Sequence, residues 1–236
     1  MELRDRVANR AANAYRSGGR AAYHFARLKL RHDPFYSLLL SGNLVPAGAH
    51  ILDLGCGQGL LAAWLAAARQ CYSEGEWDGA HPAPQSIASY RGVDRNAAEI
   101  RRARAALDGS AEFVVSDILA EPPTTATLIV LLDVLHYLDY AAQLNLLRLV
   151  RAALPADGCL LLRVGNRDAG VPARVSEWVD RLVLRLRIGG KGELYRRSLK
   201  QWLLVLEELG FKVEEVARQR SLGYSNSLLR ASPPSR

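Results

Sequence analysis

Apolar positions along this 236-residue chain change their period several times. Near the start they recur every three or four residues, Leu3, Val7, Ala11 and Ala14, then Ala22, Phe25 and Leu28, which predicts helices over 2–16 and 20–31. Ser17-Gly18-Gly19 breaks the pattern between them. Asp33-Pro34 opens a third, short helix reaching Leu40, because proline suits a first helical turn, and Gly42 is placed to stop it. From residue 49 the period switches: short apolar runs at 51–54, 90–93, 113–115, 128–132 and 159–164 read as strands, and the stretches 60–68, 97–107 and 141–154 as helices. A helix over 199–209 ends at Gly210, a residue that closes helices well, and 211–216 and 228–231 are closing strands before a frayed tail beyond Ser232.

Short apolar runs, each followed by a helix, are the pattern of βαβ units whose strands are covered on both faces. The expected fold is therefore α/β, a doubly wound, mostly parallel sheet of seven strands. Residues 1–44 form an N-terminal helical cap on this reading, and 45–236 form the main domain. The main domain carries a Gly-, Pro-, Ser- and acid-rich loop insertion at 72–89 and a basic helical insertion at 167–200 after the fifth strand.

Composition narrows the class. Apolar residues make up 49% of the chain, enough for a full α/β core. No apolar run approaches the roughly 20 residues of a membrane span, and the N-terminus lacks a secretory signal, so a cytoplasmic protein is expected. Cys56, Cys71 and Cys159 are too scattered for a disulfide framework or a zinc site, and no metal is expected. The net charge of +7 is uneven: residues 1–31 carry eight Lys/Arg against two acids and residues 163–200 ten against four, leaving the remainder at −5. Two basic flanks suit an anionic partner such as a phosphorylated carrier, a nucleic acid or a membrane surface, and equally suit solvated helix faces.

The chemistry concentrates in Asp53-Leu54-Gly55-Cys56-Gly57-Gln58-Gly59. Glycines between a buried strand and a helix start let a ligand approach the backbone closely. Dinucleotide-binding enzymes use G-x-G-x-x-G there, but here Leu60 stands where that pattern needs a small residue, and Asp53, two residues ahead of the first glycine, is a carboxylate that suits a cationic amino group better than a pyrophosphate. The stretch Asp53-x-Gly55-x-Gly57-x-Gly59 resembles motif I of the class I S-adenosylmethionine-dependent methyltransferases, over about residues 49–164. The resemblance implies a Rossmann-like fold, S-adenosylmethionine as cofactor, and a site at the carboxyl ends of the strands. By it, Asp94 receives both ribose hydroxyls, Asp117 the adenine amino group with Ile118 beside the ring, and Asp133 faces the methionine portion and the acceptor. Asp94 lies 35 residues past Gly59, against about 20 in the compact unit, an excess that the 72–89 insertion absorbs. Each acid could instead cap a helix. Four acids at four successive strand ends are harder to explain that way.

Methyl transfer from a sulfonium is an in-line displacement, which needs a base only if the acceptor must lose a proton. His136, in Asp133-Val134-Leu135-His136-Tyr137-Leu138, is the candidate base or acceptor-orienting group; capping the next helix, or a hydrogen-bonded place behind the site, is the alternative. Tyr137 is either an aromatic wall or core packing. Tyr23, His24 and Tyr36 lie in helices that act as a lid in related enzymes, and Lys29 either meets a cofactor carboxylate or is an exposed helix residue. No Asn-Pro-Pro-Tyr follows the fourth strand, which points to small-molecule acceptors, O-methylation first and C-methylation next. More narrowly, the Lys29 to Pro34 run and the Asp-Val-Leu-His-Tyr-Leu segment are similar to methyltransferases of bacterial aryl-polyene pigment biosynthesis. That implies a phenolic acceptor, tethered to an acidic acyl carrier protein that the basic flanks would meet. RNA methylation and a non-catalytic cofactor-binding protein of the same fold are the alternatives. The basic stretches lack interleaved aromatics for RNA, and the intact glycine motif argues for catalysis.

Overall fold

The computed structural model describes residues 2–42, 44–120, 126–165, 194–221 and 224–234. Most of the expected basic insertion at 167–200 lies outside the described residues, Arg181, Arg185 and Arg187 among them. The chain divides into two compact units, Met1–Ile118 and Leu119–Arg236.

The first unit holds five helices, α1 (Leu3–Asn13), α2 (Arg20–His32), α3 (Pro34–Leu39), α4 (Leu60–Ser73) and α5 (Ala97–Leu107), and three strands, β1 (Ala49–Leu54), β2 (Ile87–Asp94) and β3 (Glu112–Val115). The strands are parallel in the order β3-β2-β1. Helix α1 buries Leu3, Val7 and Ala11 as their spacing predicts. In α2 the buried row is Ala22, Ala26 and Leu30 instead, leaving Phe25 and Leu28 41% and 62% exposed. Small side chains win that face because they let the helix backbone close on the glycine loop, where Ala22 O accepts a bond from Gln58. Asp33 caps α3 by accepting from Phe35 N–H, and Pro34 takes the first turn. Helix α4 runs five residues beyond its predicted end at Ala68, because Cys71 continues the buried row of Trp64, Ala67 and Ala68. The irregular insertion is correspondingly shorter, between Ser73 and Ile87.

The second unit holds β4 (Leu128–Leu132), β5 (Cys159–Gly165), β6 (Lys212–Ser221) and β7 (Tyr224–Ser232), with α6 (Tyr140–Ala153) and α7 (Leu199–Glu208). Strands β4 and β5 are parallel, β7 runs antiparallel to β5, and β6 pairs antiparallel to β7. The hairpin strands exceed the apolar runs that announced them, since ladder hydrogen bonds carry the pairing on through polar positions such as Arg218, Gln219, Asn226 and Ser227. Asp139 caps α6, and Ser198 with Gln201 forms a capping box at α7. The strand order β3-β2-β1-β4-β5-β7-β6 is that of a seven-stranded, mostly parallel Rossmann-like sheet. Its order turns at β1, and open α/β sheets bind ligands at the carboxyl end of such a strand.

Candidate active site

The loop after β1 is built from backbone conformations that glycine adopts at low cost. Gly55, Gly57 and Gly59 have φ of +80°, +55° and +75°, all left-handed. They serve different ends. A Cβ on Gly57 would meet nothing within 4 Å, so this glycine leaves open space. A Cβ on Gly59 would lie 2.9 Å from the Phe113 ring and 3.2 Å from Ala103, so that glycine permits close packing of the α4 start on β3 and α5.

Asp53 is 4% exposed, and its carboxylate accepts a hydrogen bond from the Tyr90 hydroxyl on the neighbouring strand. Burial dominates its titration and pushes the carboxyl up to about 7; the Tyr90 bond opposes this and the nearby Asp94 charge adds to it. Burial likewise pushes up the thiol of Cys56, with Asp53 and Asp94 contributing. Asp94 is half-buried at the end of β2. Its Oδ2 accepts from Gly57 N–H at 2.8 Å and its Oδ1 from Asn96 N–H at 2.8 Å. It is not the cap of α5; Asn96 is, accepting from Ala98 and Glu99 N–H. Two backbone donors thus aim the Asp94 carboxylate, and its remaining lone pairs suit a pair of hydroxyls. Ser116 N–H donates to Asp94 O at 3.2 Å, which brings the end of β3 alongside. Asp117 next to it is exposed, and Ile118 is 8% exposed. The donor set, an open glycine turn with an oriented carboxylate and an apolar residue one strand over, fits the ribose and adenine of S-adenosylmethionine.

In the second unit, Asp133 follows β4 with φ +58°, the one non-glycine residue with positive φ among the described residues. Its carboxylate forms a two-pronged ion pair with Arg163 of β5, Nε to Oδ1 at 2.9 Å, and Asp133 N–H donates to Arg163 O at 3.3 Å. Arg163 is 4% exposed, so the pair neutralises a buried guanidinium and holds the loop in its left-handed turn. His136 sits half-buried in a 3-10 turn, Leu135–Tyr137, with its ring centroid 4.1 Å from that of Tyr137. It does not cap the following helix, since Asp139 does.

The N-terminal candidates divide. Tyr36 is buried against Trp64, the exposed His24 packs edge-on to Tyr23, and Lys29 pairs with Asp33 at 2.9 Å. Several functional contacts had no local signal in the sequence. Tyr15 is fully buried and donates to Gln58 O at 2.8 Å, and Gln58, 2% exposed, donates to Ala22 O at 3.4 Å, so the N-terminal helices are bonded to the glycine loop itself. Gly92 is also required, because a Cβ there would lie 2.8 Å from both Cys56 Sγ and the Phe113 ring. A glycine inside a strand was the one readable hint.

A family model described as "Methyltransferase domain" matches residues 24–216. No curated protein matches the chain. Among solved structures, an O-methyltransferase family protein from Burkholderia thailandensis aligns with a TM-score of 0.60 and 20% identity, over 93% of this chain and 62% of that one. Magnesium protoporphyrin IX methyltransferase from Synechocystis PCC 6803, solved with bound S-adenosylhomocysteine, gives 0.60 and 17% over 98% of both chains. An O-methyltransferase family 2 protein from Planctomyces limnophilus, in complex with apigenin, gives 0.60 and 19% over 99% and 62%. The chain thus spans about three fifths of the Burkholderia and Planctomyces proteins. The match over most of the chain, on a fold and a glycine cradle of the corresponding kind, makes it a member of the methyltransferase-domain family, the S-adenosylmethionine-dependent methyltransferases of Rossmann-like fold.

Proposed function

We propose that the chain methylates the hydroxyl of a small phenolic acceptor, with His136 as the base. The observation that carries this reading is the post-β4 turn, where a half-buried imidazole stands beside an aromatic ring four residues past a strand end. Two of the structural neighbours are O-methyltransferase family proteins, one of them in complex with apigenin, which supports oxygen as the accepting atom.

Bound S-adenosylmethionine supplies an electrophilic methyl group on a sulfonium. Asp94 would hold its ribose, the turn at Gly55 to Gly59 its backbone-facing edge, and Asp117 and Ile118 its adenine. The protein's remaining task is to orient the acceptor and remove one proton. A phenol titrates near 10 and is almost wholly protonated at neutral pH, so a neutral imidazole assists by accepting the proton as the oxygen attacks carbon. His136 takes that proton at a ring nitrogen, and Tyr137 offers a face for an aromatic acceptor.

The aryl-polyene resemblance makes a carrier-tethered aryl acid the narrower candidate. The N-terminal basic flank offers limited charge for a carrier: Arg4 and Arg31 pair with Asp5, Arg10 with Glu74 and Glu76, and Lys29 with Asp33. The test is incubation of the protein and cofactor with phenolic acids, free and carrier-loaded, reading the mass gain of one methylene. His136→Ala should lower turnover by roughly 10² to 10⁴ while calorimetry finds cofactor affinity nearly unchanged. The wild-type rate should fall toward acid pH, as the imidazole becomes protonated. A loss below about threefold would make His136 structural.

A further inference from the structure

Helix α6 carries a glutamine, Gln143, whose side chain is 0% exposed among the apolar Leu146, Leu147 and Val150. An apolar residue is the default at such a position, because a buried amide costs free energy unless it is hydrogen-bonded. Gln143 is bonded on every side. Its Nε2 donates to Leu135 O at 3.0 Å, Leu138 O at 3.0 Å and Tyr195 O at 2.9 Å, and its Oε1 accepts from Arg197 Nε at 2.9 Å. Three carbonyls at one end and a guanidinium at the other leave one orientation of the amide. Two N–H groups serve three acceptors, so one bond is shared.

The acceptors belong to two separate stretches of chain. Leu135 and Leu138 bracket the 3-10 turn with His136 in its middle. Tyr195 belongs to the extended stretch before α7, and its own N–H donates back to His136 O at 3.0 Å. The same stretch is fastened a second time: the Tyr195 ring packs edge-on to Tyr140 at 5.4 Å, and Arg197 lies 4.6 Å over the Tyr140 ring and 5.6 Å from that of Trp202. The turn itself is three residues long and has no side-chain cap of its own. Two backbone bonds close it, Tyr137 N–H to Val134 O and Leu138 N–H to Leu135 O, each at 3.0 Å, and the bonds from Gln143 and Tyr195 fasten it to the rest of the unit.

We propose that Gln143 is a positioning residue for His136, clamping the post-β4 turn and the 194–198 stretch together so that the imidazole keeps one orientation toward the acceptor. The proposal rests on the reading of His136 given above, and its test separates the two. Gln143→Leu keeps the volume and removes all four bonds. A displacement near 1 Å at a reacting group is worth about 10²-fold, so kcat should fall roughly 10- to 100-fold with the dissociation constant for S-adenosylmethionine unchanged. In carbon-proton NMR spectra the His136 imidazole signal, assigned by its loss in His136→Asn, should move and broaden. Gln143→Glu adds a second signature: the introduced carboxyl can donate only while protonated, so kcat should decline again at high pH and turn the rising wild-type profile into a bell. If Gln143→Leu fails to fold, Arg197→Lys and Gln143→Glu carry the same readouts. Movement of the His136 signal in a Gln143 variant upholds the clamp even where His136→Ala keeps full turnover, an outcome that removes only the base role. Wild-type kcat and an unmoved His136 signal in a folded variant, with only a lower melting temperature, would overturn the proposal and leave Gln143 a packing residue.

Discussion

Asp53 stands near the end of β1, two residues before the glycine turn, and is 4% exposed. Motif position alone suggests a carboxylate facing a cationic ligand. In the folded chain it lies beneath the loop, bonded to Tyr90, 37 residues away, with its titration raised to about 7. The unfolded chain releases that proton near 3.9. Between those values the native state holds a proton that the unfolded state has lost, so stability falls as pH rises from about 4 to 7 and is level above. Three pK units set an upper bound on the order of 4 kcal/mol, less any relaxation around the carboxylate. Asp53→Asn still accepts from Tyr90 and cannot titrate. Thermal melts from pH 5 to 8 should therefore show a smaller pH-dependent loss in the variant than in the wild type. Identical slopes would mean that another group titrates.

At the scale of the element, the glycine turn separates open space at Gly57 from packing space at Gly59 within five residues. All three glycines were legible as a motif, since the spacing is local. Which glycine faces open space and which faces Phe113 was not legible, because the answer depends on β3 and α5. Gly57→Ala places a methyl in open space at φ +55°, so only backbone strain of about 1 to 2 kcal/mol is expected, with a much larger loss of cofactor affinity. Gly59→Ala combines similar strain with a 2.9 Å approach to the Phe113 ring. Its melting temperature should fall well below that of Gly57→Ala. Chemical denaturation and calorimetry on both variants check this, and equal stability losses would refute the division of roles. The same limit explains α2, whose helix was readable from its spacing while its buried face was decided by the approach of Ala22 to Gln58.

Across the whole molecule, the glycine turn and Asp94 belong to the first unit and His136 to the second. Among the described residues no helix is long and apolar enough to cross a membrane, and no cluster of side chains could hold a metal ion. A ligand that binds only the native state raises its stability by RT ln(1 + [L]/Kd), about 2.7 kcal/mol at a hundredfold excess over Kd. For a chain of this size that is a rise of roughly 5 to 10 °C in melting temperature. S-Adenosylmethionine and S-adenosylhomocysteine should each produce it, and a nicotinamide dinucleotide should not. A shift with the nicotinamide alone would overturn the reading of the glycine turn.

What the sequence determined by itself is what short-range physics controls. Period and breakers marked the strands and helices, because side-chain direction follows the backbone's own repeat, and the glycine spacing and strand-end acids marked the candidate cofactor site. The net charge of the N-terminal flank was also countable, yet its meaning was not. Arg10 is matched by Glu74 and Glu76 more than 60 residues along the chain, so a charge that looked available for a partner is paired within the protein. The tertiary structure alone decided which partner each polar group takes: Tyr90 for Asp53, Arg163 for Asp133, Tyr15 and Ala22 for Gln58, and three carbonyls with a guanidinium for Gln143. The reason is physical. Buried polar groups must find hydrogen-bond partners wherever the fold brings them, and that juxtaposition is set by the packing of elements far apart in sequence rather than by any local pattern.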